Sequence, residues 1–427
     1  MIQKIPTLGS QILGFAKYAC NRCIKRRGFK QGFPGRLLVL SLVSAFAQNV
    51  FAEEWLSSGK LMPEWRYFID GGQESQQLDH WQPSLGAELE FDWQSAGGNQ
   101  RIRFTPYLRL DAQDPERSHV DIRELFIRFT EGDWQLTAGI NKVYWGVSES
   151  RHLVDIINQT DRLDDIDAED KLGQPMVSLS YRQDWGNVEL FWLPVFREQK
   201  FSGVKGRLRP NIAILGESKY ASADGKQHKD IALRYSHQVG DFDVAAYWFE
   251  GTDREPKLTL SQSAEALLPV YGHIKQVAME VQFTHQAWLW KLEALNRRGQ
   301  GDDFIALVGG FEYTYYQVGS GVYDVGVLVE YLRDERGVSA PSTLFQDDLF
   351  LGVRLGFNDT QNTALLAGVL SDLGGEERSL FVEFERRINS RWSMALEGRF
   401  FLSSEISSPQ HALKEDSFMT LILSWYF

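Results

Sequence analysis

The 427-residue chain is nearly without cysteine: it has two, Cys20 and Cys23, both within its first 52 residues. Their C-x-x-C spacing supplies two ligands where a structural zinc site needs four, so no metal centre is expected from them. Beyond residue 52 cysteine is absent, which excludes disulfide staples, thiolate catalysis and cysteine-held metal together. Long apolar runs are missing too. No stretch of about 18 apolar residues exists, so a helical transporter is excluded. Residues 1–52 lack acidic side chains but hold eight basic ones, Lys4, Lys17, Arg22, Lys25, Arg26, Arg27, Lys30 and Arg36. Setting these aside leaves 37 basic against 57 acidic groups, a net charge of −20 over the remaining 375 residues. A body so charged repels phosphate, and nucleic acid is not expected as a partner.

The basic stretch ends at Arg36 and runs into the apolar segment Leu37 to Ala47. That is the length of the h-region of a secretory signal and too short to cross a bilayer. Small-x-small cleavage sites follow at Ala45-Phe46-Ala47 and Val50-Phe51-Ala52. The expectation is a signal peptide over residues 1–52, cleaved after Ala52 or Ala47, and one domain over 53–427.

From about residue 63 apolar residues recur at every second position, the period of a strand and not of a helix. Ile102, Phe104, Leu108 and Leu110 alternate with Arg101, Arg103, Thr105, Tyr107 and Arg109, so one face is greasy and the other cationic. Similar blocks fall at about 63–70, 84–93, 101–111, 119–129, 133–140, 176–183, 186–193, 229–237 and 241–250. They continue at 273–284, 287–296, 303–316, 323–333, 347–357, 362–370, 378–387, 391–402 and 417–427. Most are longer than the strands of a soluble sandwich and match a tilted membrane-spanning strand. The links alternate between tight turns, such as Gly240-Asp241 and Asn389-Ser390, and long segments, such as 141–175 and 194–228. A bilayer offers no hydrogen-bond partner to an open edge, so the sheet must close. The fold expected is all-β: a closed antiparallel transmembrane β-barrel of about eighteen strands, sixteen being the alternative, with short periplasmic turns and long external loops.

Read back from the end, Phe427, Trp425, Leu423, Leu421 and Met419 share one face. Ser424-Trp425-Tyr426-Phe427 resembles the closing strand of bacterial outer-membrane proteins. The resemblance implies the outer membrane as location, its lipids and lipopolysaccharide as surroundings, and Trp425 and Phe427 as a signal read by the barrel assembly machinery. Trp65, Tyr67, Trp288, Trp290, Tyr331 and Trp392 also fall near strand ends, where aromatic rings sit at the lipid–water boundary.

If the apolar face meets lipid, the other face lines the interior. It offers a basic sector of Arg101, Arg103, Arg109 and Arg128 and a mixed sector of Glu330, Arg354, Glu383, Glu385, Glu397 and Arg399. Opposed rings of charge across a narrow lumen select permeants by charge and dipole; groups paired with one another would instead plug it. The segment 141–175 contains Trp145-Gly146 and Asp155-Ile156-Ile157-Asn158-Gln159-Thr160-Asp161. It resembles a poorly characterised family of porin-like outer-membrane barrels that carry a W-G stretch followed by a D-x-x-N-P-x-D-like one, with Gln159 here in place of the proline. The resemblance implies the barrel fold more than any substrate; the function expected of the chain is a porin-like channel for passive or facilitated passage of small polar or amphipathic solutes.

On its residues the segment is expected to fold into the barrel, packing Trp145 and Ile156-Ile157 on the wall, the alternative being a solvated external loop. Asp155, Asn158, Asp161, Asp164, Asp165 and Asp167 belong to it, and its carboxylates are expected opposite Arg101, Arg103 and Arg109. The cluster Asp164, Asp165, Asp167, Glu169 and Asp170 lacks the D-x-D-x-D-G order of a calcium loop, and neither metal nor other cofactor is assigned. Two further classes stay open. One is a closed structural or adhesion barrel; the other is an outer-membrane lipase or protease built around His152 or His237. Monomer and homotrimer are both compatible with the sequence, and no residue names the permeant.

Overall fold

In each tight turn the chain reverses with little backbone to spare, and the strands on either side pair along nearly their whole length. The computed structural model describes residues 55–263, 265–403 and 409–427; the expected signal peptide lies outside the described residues. The strands are β1 (Leu56–Phe68), β2 (Trp81–Gln94), β3 (Gln100–Asp111), β4 (His119–Glu131), β5 (Trp134–Asn141), β6 (Gln174–Gln183) and β7 (Gly186–Leu193). After the short β8 (Lys219–Tyr220) come β9 (Asp230–Val239), β10 (Phe242–Thr252), β11 (Lys257–Leu260), β12 (Leu267–Tyr271) and β13 (His273–His285). The chain ends with β14 (Trp288–Gly299), β15 (Gly301–Gln317), β16 (Tyr323–Asp334), β17 (Asp347–Gly356), β18 (Ala364–Asp372), β19 (Arg378–Arg387), β20 (Trp392–Ser403) and β21 (Phe418–Tyr426).

Eighteen of these form one antiparallel sheet in which each strand pairs with its neighbour in sequence. β1 also pairs with β21, from Lys60 opposite Tyr426 to Phe68 opposite Phe418, and this closes the barrel. The count is therefore eighteen and not sixteen. β8, β11 and β12 form a separate three-stranded sheet within the long connections, which the alternation did not foreshadow.

The alternation works as the lipid demands. Leu85, Leu89, Leu110, Leu136, Val277, Leu351 and Val353 are exposed on the outside of the barrel, where only hydrocarbon can accept them. Along the tight-turn rim aromatic rings touch in sequence: Trp134 on Tyr181, Tyr181 on Trp185, Trp185 on Tyr235, and further round Trp288 on Tyr313 and Trp392 on Trp425. Gly132 and Gly240 take positive φ in two of these turns, where a side chain would be strained.

One boundary and one register differ from simple alternation for a physical reason. β1 begins at Leu56 and not near residue 63, because Ser57, Ser58 and Gly59 are held by backbone pairing to β2 although they carry no apolar alternation. At Gly59 the pairing is reciprocal: its N–H donates to the Phe427 carbonyl and it accepts from the Phe427 N–H, both at 3.0 Å. The second concerns β3 and β4. Pro106 has no N–H for the ladder, and the register shifts between Thr105 and Pro106. This bulge lets two successive β4 residues, Arg123 and Glu124, both reach inward partners, Asp164 and Arg103 respectively.

Candidate functional site

The segment 142–173 between β5 and β6 is bonded to lumen-facing side chains on strands from both halves of the sheet. On one side its carboxylates meet three buried arginines, and a fourth, Arg117, bonds its backbone. Asp164 pairs with Arg109 at 2.6 Å and accepts from Arg123 at 2.5 Å and from the Tyr107 hydroxyl at 3.0 Å. Asp165 pairs with Arg66 at 3.1 Å and Asp161 with Arg123 at 2.8 Å. Arg117, between β3 and β4, donates to the Leu163 carbonyl at 2.7 Å and to Glu64 at 2.8 Å. Glu64 also takes Arg109, at 2.6 Å. Charges this deeply buried persist only when each is paired and hydrogen-bonded. For Asp161, burial pushes the carboxyl up, but the His119 bond and the Arg123 guanidinium outweigh it and hold it below the usual range. His119, Asp161 and Asp164 lie close enough to hold a metal ion, yet the Arg123 guanidinium already bridges the two carboxylates.

On the opposite wall two buried glutamates act as acceptors for loop backbone. Glu293 on β14 accepts from the N–H groups of Val147 at 2.7 Å, Ser148 at 2.8 Å and Val154 at 3.2 Å. Glu330 on β16 accepts from those of Glu149 at 2.9 Å and Ser150 at 2.8 Å, and from the Ser150 hydroxyl at 2.6 Å. Glu149 in turn pairs with Arg354 at 2.6 Å. Between these walls Trp145 is buried against Phe191 and Tyr247, with Ile156 and Ile157 in the same cluster.

The residues that marked the segment in the sequence shape its backbone. Gly146 has φ +123°, and a Cβ there would lie 3.1 Å from both Glu293 and His152, so the residue after Trp145 has little alternative to glycine. Asn158 ties the ends of the segment together, donating to the carbonyls of Asn141 and Leu172 and accepting from the Val143 N–H. Asp155 is buried on Lys171 at 3.1 Å.

The predicted charged residues therefore separate. Arg109, Asp161, Asp164 and Asp165 come together; Asp167 meets Arg399 at 2.9 Å, and Arg399 also holds Glu383 at 2.7 Å. Arg101 and Arg103 do not face loop carboxylates. Both bond Asp92, at 2.6 and 2.8 Å, because the bulge turns Glu124 and β2 turns Asp92 toward them first. Arg128 lies over the Phe126 ring and donates to Thr137. Glu330 does not line open lumen but lies beneath the loop, Glu397 is partly buried on β20 near Asp165 and Asp167, and Glu385 is exposed on β19. Glu64, Arg66, Arg117, Arg123 and Glu293 were not singled out by sequence. The strand phase of Glu64 and Arg66, alternating with the outward Trp65 and Tyr67, was the signal available for two of them.

The hydrolase geometries are not assembled. His152 Nε2 bonds Glu169 at 2.8 Å and the Tyr144 hydroxyl at 2.5 Å, while the Ser150 hydroxyl is committed to Glu330. His237 packs beside Tyr235.

Inside the barrel a cavity of about 900 Å³ lies between the loop and the wall. One side is apolar: Phe350 on β17 stacks on Phe381 of β19 at 5.5 Å, over Gly368, where a Cβ would meet the Phe350 ring at 2.2 Å. One end is rich in guanidinium groups. Arg151, Arg297 and Arg336 converge on Glu255, at 3.4, 3.4 and 2.7 Å, and Arg162, which also lines the cavity, is exposed with no bonded carboxylate among the described residues. The other end carries Asp167, Glu169 and Glu383. Burial, with Asp165 beside it, pushes Asp167 up to about 6. Burial, with Asp164 and Asp167, pushes the neighbouring Asp170 up to about 7.

No protein-family model matches the chain, and no curated protein matches it. Solved structures do. Pseudomonas aeruginosa OccK8 (OprE) is 11% identical with a TM-score of 0.52, covering 88% of this chain and 99% of its own. Acinetobacter baumannii OccAB3 is 9% identical with a TM-score of 0.53 over the same shares. Escherichia coli Wzi, described as an outer-membrane carbohydrate-binding β-barrel involved in group 1 capsule assembly, is 8% identical with a TM-score of 0.51, covering 92% and 89%. The fold is that of bacterial outer-membrane barrels of the porin type.

Proposed function

We propose that the chain is a porin-like channel for small polar or amphipathic solutes, with segment 142–173 as its constriction. The observation that carries the reading is the combination of an anchored loop and an unfilled space. The loop is fixed to the wall by Asp164, Asp165 and the two glutamates, yet beside it a cavity of about 900 Å³ keeps charged side chains exposed. A barrel that served only as a rigid support would gain by filling that volume with side chains. Fold likeness to the Occ proteins supports the same class.

The second reading, a closed barrel, draws support from the buried ion pairs that join loop to wall, and from the likeness to Wzi. Planar-bilayer conductance of the refolded chain separates the two. The channel reading expects discrete conductance steps that grow several-fold when residues 161–171 are deleted. Conductance unchanged by the deletion removes the constriction, and a sealed bilayer with folded barrel in both forms favours the closed reading. Solute selectivity of the lumen also follows from this reading, whereas catalysis has no assembled nucleophile among the described residues to rest on.

A further inference from the structure

The loop brings a phenol, an imidazole and a carboxylate to one point at the edge of the cavity. His152 Nε2 stands 2.5 Å from the Tyr144 hydroxyl and 2.8 Å from Glu169 Oε1. Tyr144 is 51% exposed and the Glu169 side chain 53%, and both line the cavity together with His152. The backbone prepares this meeting from two directions. At Gly146 a Cβ would lie 3.1 Å from His152, so the bare backbone lets the ring approach Tyr144. Ala168, at φ +71°, and the bond from the Glu169 N–H to Asp167 Oδ1 at 3.0 Å turn the chain sharply just before Glu169.

One ring nitrogen cannot serve both oxygens. Protonated, Nε2 donates to the Glu169 carboxylate and turns an N–H, not a lone pair, toward the Tyr144 hydroxyl. Bare, it accepts from Tyr144 and turns its lone pair toward a carboxylate 2.8 Å away. A cation in front of Nε2 is met by lone pairs from all three groups at once. Among the described residues neither Tyr144 nor Glu169 is bonded to a lysine or arginine, unlike Asp161 and Asp164, which Arg123 bridges. The surrounding charge also favours a cation. Glu169, Asp155, Glu293 and Glu149 all act on the Tyr144 hydroxyl. Lys171 offsets Asp155 and Arg354 offsets Glu149, whereas Glu293 is held by backbone N–H groups alone. Nδ1 of His152 bonds nothing among the described residues and is left to carry the ring's proton.

We propose that Tyr144, His152 and Glu169 bind one ferric ion at the edge of the cavity, with the ion's remaining positions open to that space. Two of the three donors are anionic oxygens when bound, which suit a hard, highly charged ion, and imidazole is a ligand that iron accepts. A phenol among carboxylates holds its proton, so its displacement favours an ion of charge +3 over one of +2. On binding, the iron–oxygen bond forms as the Tyr144 O–H bond breaks, the proton leaves to solvent, and the iron stays ferric with no electron exchanged. Three protein ligands leave the cavity side for water or for a solute that chelates iron through oxygen. The site does not depend on conduction and holds for a closed barrel as well.

The test loads the full chain, refolded in detergent, with ferric nitrilotriacetate and, in parallel, with Zn2+ and Cu2+, then removes free metal by gel filtration. One iron per chain is expected, with a visible phenolate-to-iron charge-transfer band and tyrosinate modes in the resonance Raman spectrum. Tyr144→Phe should abolish the band, and His152→Ala and Glu169→Gln should each weaken iron retention at least about tenfold. Heat-modifiable gel migration should be unchanged in all three. Tyr67→Phe, on the outer wall, should leave band and retention as they were. Iron held without the band, a band that survives Tyr144→Phe, no iron held, or tighter retention of Zn2+ or Cu2+ than of iron overturns the proposal. Because retention is read in detergent, it stands or falls separately from conductance in a bilayer.

Discussion

Single residues in this barrel act through partners that their side-chain type does not announce. Glu330 and Glu293 look like lumenal charges, yet each spends its carboxylate on loop N–H groups. An ionised carboxylate accepts from several donors at once, which an amide cannot do, because half its capacity donates. Glu330→Gln should therefore cost about 2–4 kcal/mol of loop seating. Limited proteolysis checks this: cleavage within 147–171 should rise sharply while the strands remain protected. Legibility at this scale was partial. The inward phase of Arg109, Arg354 and Arg399 followed from alternation alone, whereas the bulge at Pro106 hid Arg123, and backbone acceptors such as Glu293 leave no trace in spacing.

Among the elements, strands were readable and loops were not. Lipid imposes a two-residue period on every spanning strand, so blocks such as 186–193 and 378–387 coincide with β7 and β19. Nothing imposes a period on connections, and the four-residue β11 and two-residue β8 are too short to show one. The loop also carries its own pH response. Asp167 and Asp170 face Asp164, Asp165 and Glu169 as like charges and Arg123 and Arg399 as opposite ones. Their folded-state pKa values lie above the unfolded ones, so the seated loop binds more protons than the released loop, and seating weakens as pH rises. Conductance is expected to rise from about pH 4, the unfolded carboxylate range, and to level off above about pH 7, where both groups are ionised in the seated loop as well. Asp170→Asn should flatten that rise, measured as conductance against pH in a planar bilayer. A slope of the opposite sign would show that other groups govern the loop.

For the whole molecule, one join makes a sheet into a barrel. The Phe427 ring lies over Gly59, so close that a Cβ there would meet it at 2.7 Å, and the two backbones exchange a pair of hydrogen bonds. Removing Phe427 should lower the yield of refolded barrel severely. Phe427→Ala, which keeps the backbone pair, should lower it less, with both read as the fraction of heat-modifiable protein on a gel. The net charge of −20 in the body, which excluded nucleic acid, coexists with an interior where arginines and carboxylates are brought together in bonded groups.

The same join sets an order of events. Every other strand of the barrel pairs with a neighbour in the chain and can form hairpin by hairpin, but Arg66 on β1 meets Thr420 on β21 across 354 residues of sequence. Until that last contact forms, β1 is a bare edge able to recruit a strand from another copy. The loop spans this gap from inside, with Asp165 on Arg66 of β1 and Asp167 on Arg399 of β20, on either side of β21. It is therefore a latch on the seam, and Asp165→Asn, which weakens that latch, is expected to slow closure, read as the rate at which heat-modifiable barrel appears on refolding.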